Sequence, residues 1–516
     1  MHLFFDLIPG LSVTCRVFPG LFSPRECRDL IALASGTGFA DPSRDYPPSY
    51  RNNDRLVRDD PGLADTLFHR LREPLIASGV PELGAGAWVG LNPRFRFCRY
   101  RKGQFFSRHR DGAYRPSSGT ASKLTFMLYL NDGEAFTGGH TDFYEGPGLD
   151  ARRLASYRPE CGSLIVFDHT LWHEGSPVHE GEKYIMRSDF LIREAGNPSC
   201  TPDHPPAHDL YRGHRGYIWA LQALVDGALA SGSRDRTIRI WAPSGKTRQT
   251  LRGHQLSVLA LAAPRPGVLV SGSRDRTVKV WVNGDKGFQC ERTSRIHQAA
   301  VISLVSLQPD TYASADAAGR IAVHRLGGGT PRIMDAGSWV WGLACLSPDR
   351  LASVSEDGTL IIWEWAQGRR VLTRRFPYRL NSVAFAPNCL ILGDSNGSIH
   401  GFINEPECDR LNARPEWSFS IHRGAVRCLF ALPSGGTMSG GEDGVLRVTK
   451  RMGPVPAGKM AHLDFVTSVA QLRDGSFVSG SYDGTIQRWD ATSWARGSNE
   501  LDTALSDRFP RMSGVL

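Results

Sequence analysis

Apolar and polar residues alternate, or gather in short apolar runs, along most of this chain, and a period of two predicts β-structure. Residues 11–22 alternate and predict a strand. Leu124–Leu130, Gly162–Phe167 and Lys183–Ile192 predict three more, with Asn131-Asp132-Gly133 as a turn. Two stretches change to helical spacing. Ser23-Pro24-Arg25-Glu26 is a capping box with proline at the first helical position. It predicts a helix over about 24–35, with Leu30, Ile31, Leu33 and Ala34 facing inward. A second helix begins after Asp60-Pro61 and carries Leu63, Leu67, Phe68 and Leu71; Pro74 is expected to end or kink it. From residue 92 strand follows strand without helical interruption, which predicts a jelly-roll barrel with both helices packed outside.

Beyond residue 207 the pattern becomes repetitive. Ser231–Trp241 (SGSRDRTIRIW) recurs as Ser271–Trp281 (SGSRDRTVKVW), and weaker copies end at Trp363 and Trp489. The turn aspartate position holds Asp235, Asp275, Ala318, Asp357, Asn396, Asp443 and Asp483, spaced 40, 43, 39, 39, 47 and 40 residues apart. This is similar to the period of WD-repeat propeller blades and implies a seven-bladed ring. His214, His254, His297, His422 and His462 each stand 21 residues before their turn position. Each is expected to join the turn aspartate and a serine or threonine in a network inside its own blade, not to bind metal. Blades three to five lack parts of this pattern. Ala318 and Asn396 replace the aspartate and no histidine stands at Ala336 or Arg375, so these blades are expected to be less rigid. Residues 207–212 are expected to close the ring as the outer strand of the last blade.

The domain boundaries that follow are 1–195 for the barrel, 196–206 for a Pro-rich linker, 207–493 for the propeller and 494–516 for a flexible tail. The net charge of +9 is uneven: residues 1–200 hold 24 basic and 24 acidic side chains, the remainder 37 and 28. The whole excess lies in the propeller, where a basic surface would favour an acidic partner. Arg234, Arg236, Arg274 and Arg276 sit in matching turns. Nucleic acid is not the expected partner, because no aromatic residues interleave with them in the sequence. The ten cysteines form no C-x-x-C pair and read as buried thiols in a reducing compartment. There is no signal-peptide pattern and no run of 18 apolar residues, so the expectation is a cytoplasmic protein, with the nucleus left open and no membrane partner.

The chemistry concentrates in Tyr100–Asp111. His109 and Asp111 are two apart, so an extended segment presents an imidazole and a carboxylate on one face. That is two-thirds of a 2-His-1-carboxylate iron site. The H-x-D pattern also occurs at His140/Asp142 and His462/Asp464, and both His169 and His173 could supply the third ligand. Residues 51–193 resemble the Fe(II)/2-oxoglutarate-dependent oxygenases of the prolyl 4-hydroxylase type. Tyr100 stands nine residues before His109 with Gly103 and Gln104 between; Gly138-Gly139-His140-Thr141-Asp142-Phe143 follows the Leu130-Asn131-Asp132 turn; and His173, Pro177, Val178, Gly181 and Lys183 look like the closing motif. The resemblance implies the choice among these rivals: by the family's spacing, Tyr100 selects His109 and Asp111, and Lys183, ten residues after His173, selects His173.

The resemblance implies Fe(II) held by His109, Asp111 and His173, with positions left open for 2-oxoglutarate and molecular oxygen. It implies Lys183 as the cation for the far carboxylate of 2-oxoglutarate, with Tyr100 and Thr141 as hydrogen-bond donors. Arg187 is a second candidate cation; a salt bridge to Asp189 or Asp168 is its alternative role. The charges of Fe(II), Asp111, 2-oxoglutarate and Lys183 sum to zero, as a buried dianion requires. The family's halogenases lack the carboxylate that Asp111 supplies, so hydroxylation is implied: 2-oxoglutarate is decarboxylated to succinate and CO2, with L-ascorbate as a candidate reductant. The expected substrate is a protein side chain such as proline, recruited by the propeller. The alternatives are a small-molecule oxygenase with the propeller as a localising module, and an interaction scaffold with a silent barrel.

Overall fold

Apolar residues occupy both faces of several strands, so those strands must be covered on both sides. The computed structural model describes residues 4–42, 50–84, 87–112, 114, 120–146, 151–193, 211–386, 389–403, 414–432, 436–449, 459–460, 462 and 464–489. The linker 196–206, the tail 494–516 and most of the closing segment 207–212 lie outside these residues. The chain divides into two compact units, Met1–Asp203 and His204–Leu516.

In the first unit the larger sheet runs Phe5–Asp6, Cys15–Phe18, Leu164–Asp168, Thr120–Tyr129, Lys183–Arg193, Arg94–Tyr100 and Asp54–Asp59. The smaller sheet runs Arg153–Tyr157, Thr141–Tyr144, Trp172–Gly175 and Phe106–His109. Alternation sorts the side chains of the larger sheet. Phe95, Phe97, Leu124, Phe126, Leu128, Met186 and Phe190 turn to the helices, where they meet Leu67, Leu71 and Leu75. Cys98, Tyr100, Met127, Tyr129, Ile165, Phe167 and Ile185 turn to the smaller sheet and meet Phe143, Tyr157 and Leu171. Each fully buried side chain of this size contributes about 1.5–3 kcal/mol. The two sheets thus enclose a double-stranded β-helix (jelly-roll) core, and its inward face carries the polar residues of the site.

The helices depart from expectation in detail. The first spans Pro24–Thr37 with the Ser23/Glu26 capping box formed, but Leu33 lies on the outer face, 36% exposed. The second spans Pro61–Ala77, so Pro74 is accommodated in the last turn instead of ending the helix before it. Leu75, fully buried beyond the proline, holds that turn against the sheet.

The second unit consists of seven antiparallel sheets, six of four strands and one of three among the described residues. Their first strands pack side by side, and the ring closes where Ile218–Ala223 of the first sheet meets Val466–Gln471 of the last. There Leu221 N–H donates to Ser468 Oγ at 3.0 Å and Thr467 Oγ1 donates to the Ile218 carbonyl at 2.5 Å. Gly480 permits this approach, since a Cβ at that position would lie 2.6 Å from Ile218 Cγ2.

The blade networks form as the spacing predicts. His214 Nδ1 meets Asp235 at 2.8 Å, His214 Nε2 meets Ser231 Oγ at 2.7 Å, and Trp241 Nε1 donates to the same serine at 2.7 Å. The second blade repeats this with His254, Asp275, Ser271 and Trp281. Blades three and five correct the expectation of a missing carboxylate. In the third, Asp316 stands two residues before Ala318, bonds His297 Nδ1 at 2.9 Å and accepts from the Ala318 and Arg320 amides. His324 takes the tryptophan's place on Ser314. In the fifth, Asp394 accepts from the amides of Asn396 and Ser398 and bonds His400 at 3.1 Å. Two residues along an extended chain return to the same face, so the carboxylate remains in the blade.

Candidate active site

Phe106–His109 lies beside Trp172–Gly175 in the smaller sheet, and His109 and His173 are direct cross-strand partners. Both rings are buried. His109 Nδ1 is 2.8 Å from the Ser107 carbonyl and His173 Nδ1 is 3.1 Å from the Leu171 carbonyl. A carbonyl only accepts, so each Nδ1 carries the proton and each Nε2 carries a lone pair. Both Nε2 atoms are buried without a hydrogen-bond partner. They converge on Asp111: His109 Nε2 is 3.6 Å from Oδ1 and His173 Nε2 is 3.8 Å from Oδ2. The ligand atoms of the three residues all lie within 4.8 Å of one another. Two buried lone pairs facing a carboxylate are unfavourable by themselves and fit a divalent cation. Among the described residues this is the only such grouping.

Electrostatics favour the same protonation states. Burial and the neighbouring His173 hold the His109 ring well below its ordinary value, and burial holds His173 below its own. Burial opposes ionisation of Asp111, but the Arg187 guanidinium prevails and holds its carboxyl well below the usual range. Two neutral imidazoles and a carboxylate are the donor set of a non-haem iron site.

Asp111 is held from the larger sheet. Thr125 Oγ1 donates to Oδ2 at 2.5 Å, and Arg187 forms an ion pair with Oδ1. The alternatives for Arg187 were a cosubstrate role or a bridge to Asp189 or Asp168. Its close partner is Asp111; Asp189 is 3.9 Å away, and Asp168 caps Thr170 instead. Asp189 is engaged by Asn92 at 2.7 Å and Arg96 at 3.2 Å.

Lys183 and Arg187 share the inward face of Lys183–Arg193, and Lys183 is the cross-strand neighbour of Tyr100. The Lys183 ammonium, 2% exposed, donates to the Gly139 carbonyl at 2.5 Å and lies over the rings of Tyr100 and Tyr129 at 5.3 and 5.5 Å. Burial pushes it down to about 7. Thr141 accepts a hydrogen bond from Tyr129 Oη at 2.7 Å. Tyr100, Thr141, Lys183, Arg187, His109 and His173 line one cavity.

The rivals are elsewhere. His140 bonds Ser156, Asp142 is engaged by Ser176 and lies 3.7 Å from Arg153, and His462 bonds Ser479 and Asp483 in the seventh blade. His169 is buried 3.8 Å from Asp189 and outside the triad. Three contributors went unnoticed in the sequence. Thr125 and Tyr129 alternate inward on a strand read only as core, and Phe106 stacks on the His109 ring with centroids 3.6 Å apart.

A jelly roll with a buried His–Asp–His face and, later in the same chain, a ring of repeated sheets define an oxygenase-type barrel and a repeat propeller. The family comparisons agree. The chain carries a 2OG-Fe(II) oxygenase superfamily domain over residues 95–188 and WD domain, G-beta repeats over 206–242, 245–282 and 456–490. It is 26% identical over 189 residues to a PKHD-type hydroxylase of Shewanella oneidensis, covering 34% of this chain and 79% of that protein. A PKHD-type hydroxylase of Methylobacterium nodulans is 27% identical over 113 residues, 21% of this chain and 48% of that protein. Among solved structures, the computationally designed Ika8 protein is similar at 26% identity and a TM-score of 0.44, over 54% of this chain and 85% of its own. Residues 95–188 are thus a 2OG-Fe(II) oxygenase superfamily domain, and the C-terminal unit carries WD repeats in its seven-sheet propeller. No helix among the described residues is long and apolar enough to cross a membrane.

Proposed function

We propose that residues 1–195 form a dioxygenase that hydroxylates a protein side chain such as proline, and that the WD-repeat propeller over 207–493 recruits the substrate. Succinate and CO2 are released, and L-ascorbate serves as reductant. The observation that carries the reading is the convergence of two unpartnered imidazole Nε2 atoms on the Asp111 carboxylate. His109, Asp111 and His173 would hold Fe(II), and Lys183, Tyr100 and Thr141 would hold the far carboxylate of 2-oxoglutarate. Iron and cosubstrate supply the oxidative chemistry when bound.

The chain's own part is positioning. The Ser107 and Leu171 carbonyls fix the histidine tautomers, and Thr125 and Arg187 orient the carboxylate. The Lys183 ammonium has three donors, of which the Gly139 carbonyl takes one, so others remain for an anion. Tyr129 Oη, already donating to Thr141, aims the threonine hydroxyl's own proton away from the tyrosine. The aromatic walls at Tyr100, Tyr129 and Phe106 limit water around the site.

The decisive experiment is anaerobic addition of Fe(II) and 2-oxoglutarate to the full chain. A visible metal-to-ligand charge-transfer band is expected, lost in His109→Ala and weakened in Lys183→Ala. Bound metal without a band in the wild type would refute the cosubstrate site. Substrate hydroxylation that is unaffected by disrupting the propeller would favour a small-molecule substrate instead.

A further inference from the structure

At the residue after the turn position, five blades carry glycine with positive φ: Gly319, Gly358, Gly397, Gly444 and Gly484, at 74 to 90°. The first two blades carry Arg236 and Arg276 there, at φ 73° and 67°, the only non-glycine residues with positive φ among those described. A long side chain in this conformation is strained where glycine is not. Both arginines are exposed. Strain that five sister turns avoid, retained twice on adjacent blades with the same charge, points to a role for the charge itself.

The surroundings give that role a direction. At the residue before the turn position the first two blades again carry arginine, Arg234 and Arg274, whereas blades four and six carry Glu356 and Glu442. Those glutamates engage Arg379 at 3.2 Å and Arg427, so cations on that side are neutralised. Asp235 and Asp275 turn inward to His214 and His254 and do not offset the arginines at the surface. The aromatic residues absent from the local sequence arrive from neighbouring strands. Arg234 lies over the Tyr217 ring at 4.6 Å, Tyr217 stacks on Tyr482 at 4.6 Å and 7°, and Arg274 lies 6.0 Å from the Trp219 ring. Tyr217 thus already carries a guanidinium and a parallel ring as stacking partners, which a nucleobase would have to displace. The Arg234 guanidinium, held over the Tyr217 ring, keeps its in-plane N–H groups for carboxylates.

We infer that the end of the propeller bearing the turns of blades seven, one and two is a docking surface for an acidic peptide segment, read by Arg234, Arg236, Arg274 and Arg276 on a base of stacked aromatics. The inference concerns the propeller alone and does not depend on the oxygenase reading.

The test uses the full chain and fluorescence anisotropy of a labelled dodecapeptide of alternating glutamate and serine. A lysine–serine peptide and a labelled oligo-dT of equal length serve as comparators. The glutamate peptide is expected to bind, to weaken with added salt, and to lose about tenfold or more in affinity to the Arg236→Gly/Arg276→Gly variant. That variant restores the residue other blades use, so its thermal stability is expected to be equal or higher, and lost binding is not lost folding. No binding to the glutamate peptide, or equal binding by wild type and variant, would overturn the inference. Tighter binding of oligo-dT would overturn it in favour of single-stranded nucleic acid. Because turnover is not measured, none of these outcomes bears on the iron site.

Discussion

His109 and His173 face each other across one antiparallel strand pair, and each fixes its ring by the same device, an Nδ1 contact to the carbonyl two residues earlier. The device leaves two Nε2 lone pairs aimed inward with no partner. Metal should therefore supply stability that the apo protein lacks. Under anaerobic conditions, saturating Fe(II), or Co(II) in its place, is expected to raise the melting temperature of the wild type by several degrees, through the ordinary linkage of ligand to the native state. His173→Ala should show no such rise, while its apo melting temperature changes little. Differential scanning fluorimetry with and without metal checks both parts.

Asp111 is buried and its ion-pair partner Arg187 is largely so, with 14% of its side chain exposed, and removing either leaves the other's charge without that partner. Asp111→Asn should destabilise the apo protein by about 3 kcal/mol, and Arg187→Met by a similar amount. The double variant should be less harmed than the sum, with a coupling of about 2 kcal/mol. Urea unfolding of the four proteins without metal measures the cycle; strict additivity would show that Asp189 is the working partner of Arg187.

Thr125 holds Asp111 through one hydroxyl, so Thr125→Val removes the donor and little volume. Metal affinity should fall about 10–100-fold, as for other partners behind a metal ligand. The fold should lose only about 1–2 kcal/mol. Calorimetric titration with Co(II) separates these effects, since a purely structural role would move the melting temperature and leave the affinity unchanged.

The His109–Asp111 pair of the candidate site was legible from spacing because spacing is what strands preserve, whereas Tyr100, His173 and Lys183 were marked by the family resemblance. His109 and Asp111 are i and i+2, and the candidates Tyr100 and Lys183 occupy positions that the barrel makes neighbours. What spacing could not show is which side chain crosses from one sheet to the other. Thr125, Tyr129 and the Asp111 partner of Arg187 are products of sheet packing, and alternation predicts their face but not their contact. The same limit hid the aromatic base of the propeller arginines, since Tyr217 and Tyr482 meet only because the first and last blades close the ring. In blade three, reading one fixed column of the repeat found Ala318 and missed Asp316 on the same face two residues earlier.

That substitution carries its own prediction. Asp316 is fully buried, bonds His297 and accepts three backbone amides, so it does in its blade what Asp275 does in the second. Asp316→Ala should destabilise the propeller by about 2–4 kcal/mol, close to the effect of Asp275→Ala, because several buried donors lose their acceptor. Asn396→Ala, where Asp394 carries the corresponding bonds, should cost less than about 1 kcal/mol. Denaturant unfolding followed by tryptophan fluorescence distinguishes them. If Asp316→Ala were as mild as Asn396→Ala, blade three would be as loosely held as its turn sequence indicates.

Lys183 should link cosubstrate binding to pH. Burial pushes its ammonium down to about 7, so in the apo protein it is charged below that pH and neutral above it. An anion binds the charged form, so 2-oxoglutarate affinity should fall as pH rises from about 7 to 9, by up to about tenfold per unit. Both site histidines have lowered values and are neutral throughout this window, so they do not contribute to the slope. Lys183→Arg keeps its charge at every pH in the range and should flatten the profile, whereas Lys183→Met should weaken binding at all of them. The apo protein should show the opposite trend in stability. The unfolded lysine titrates near 10.4, so between about 7 and 10 the unfolded chain holds the extra proton and the Lys183 contribution becomes more favourable as pH rises. Calorimetric binding of 2-oxoglutarate to the metal-loaded protein under anaerobic conditions gives the first profile, and apo melting temperatures give the second. A flat wild-type binding profile would mean that Lys183 is not the cation that meets the cosubstrate.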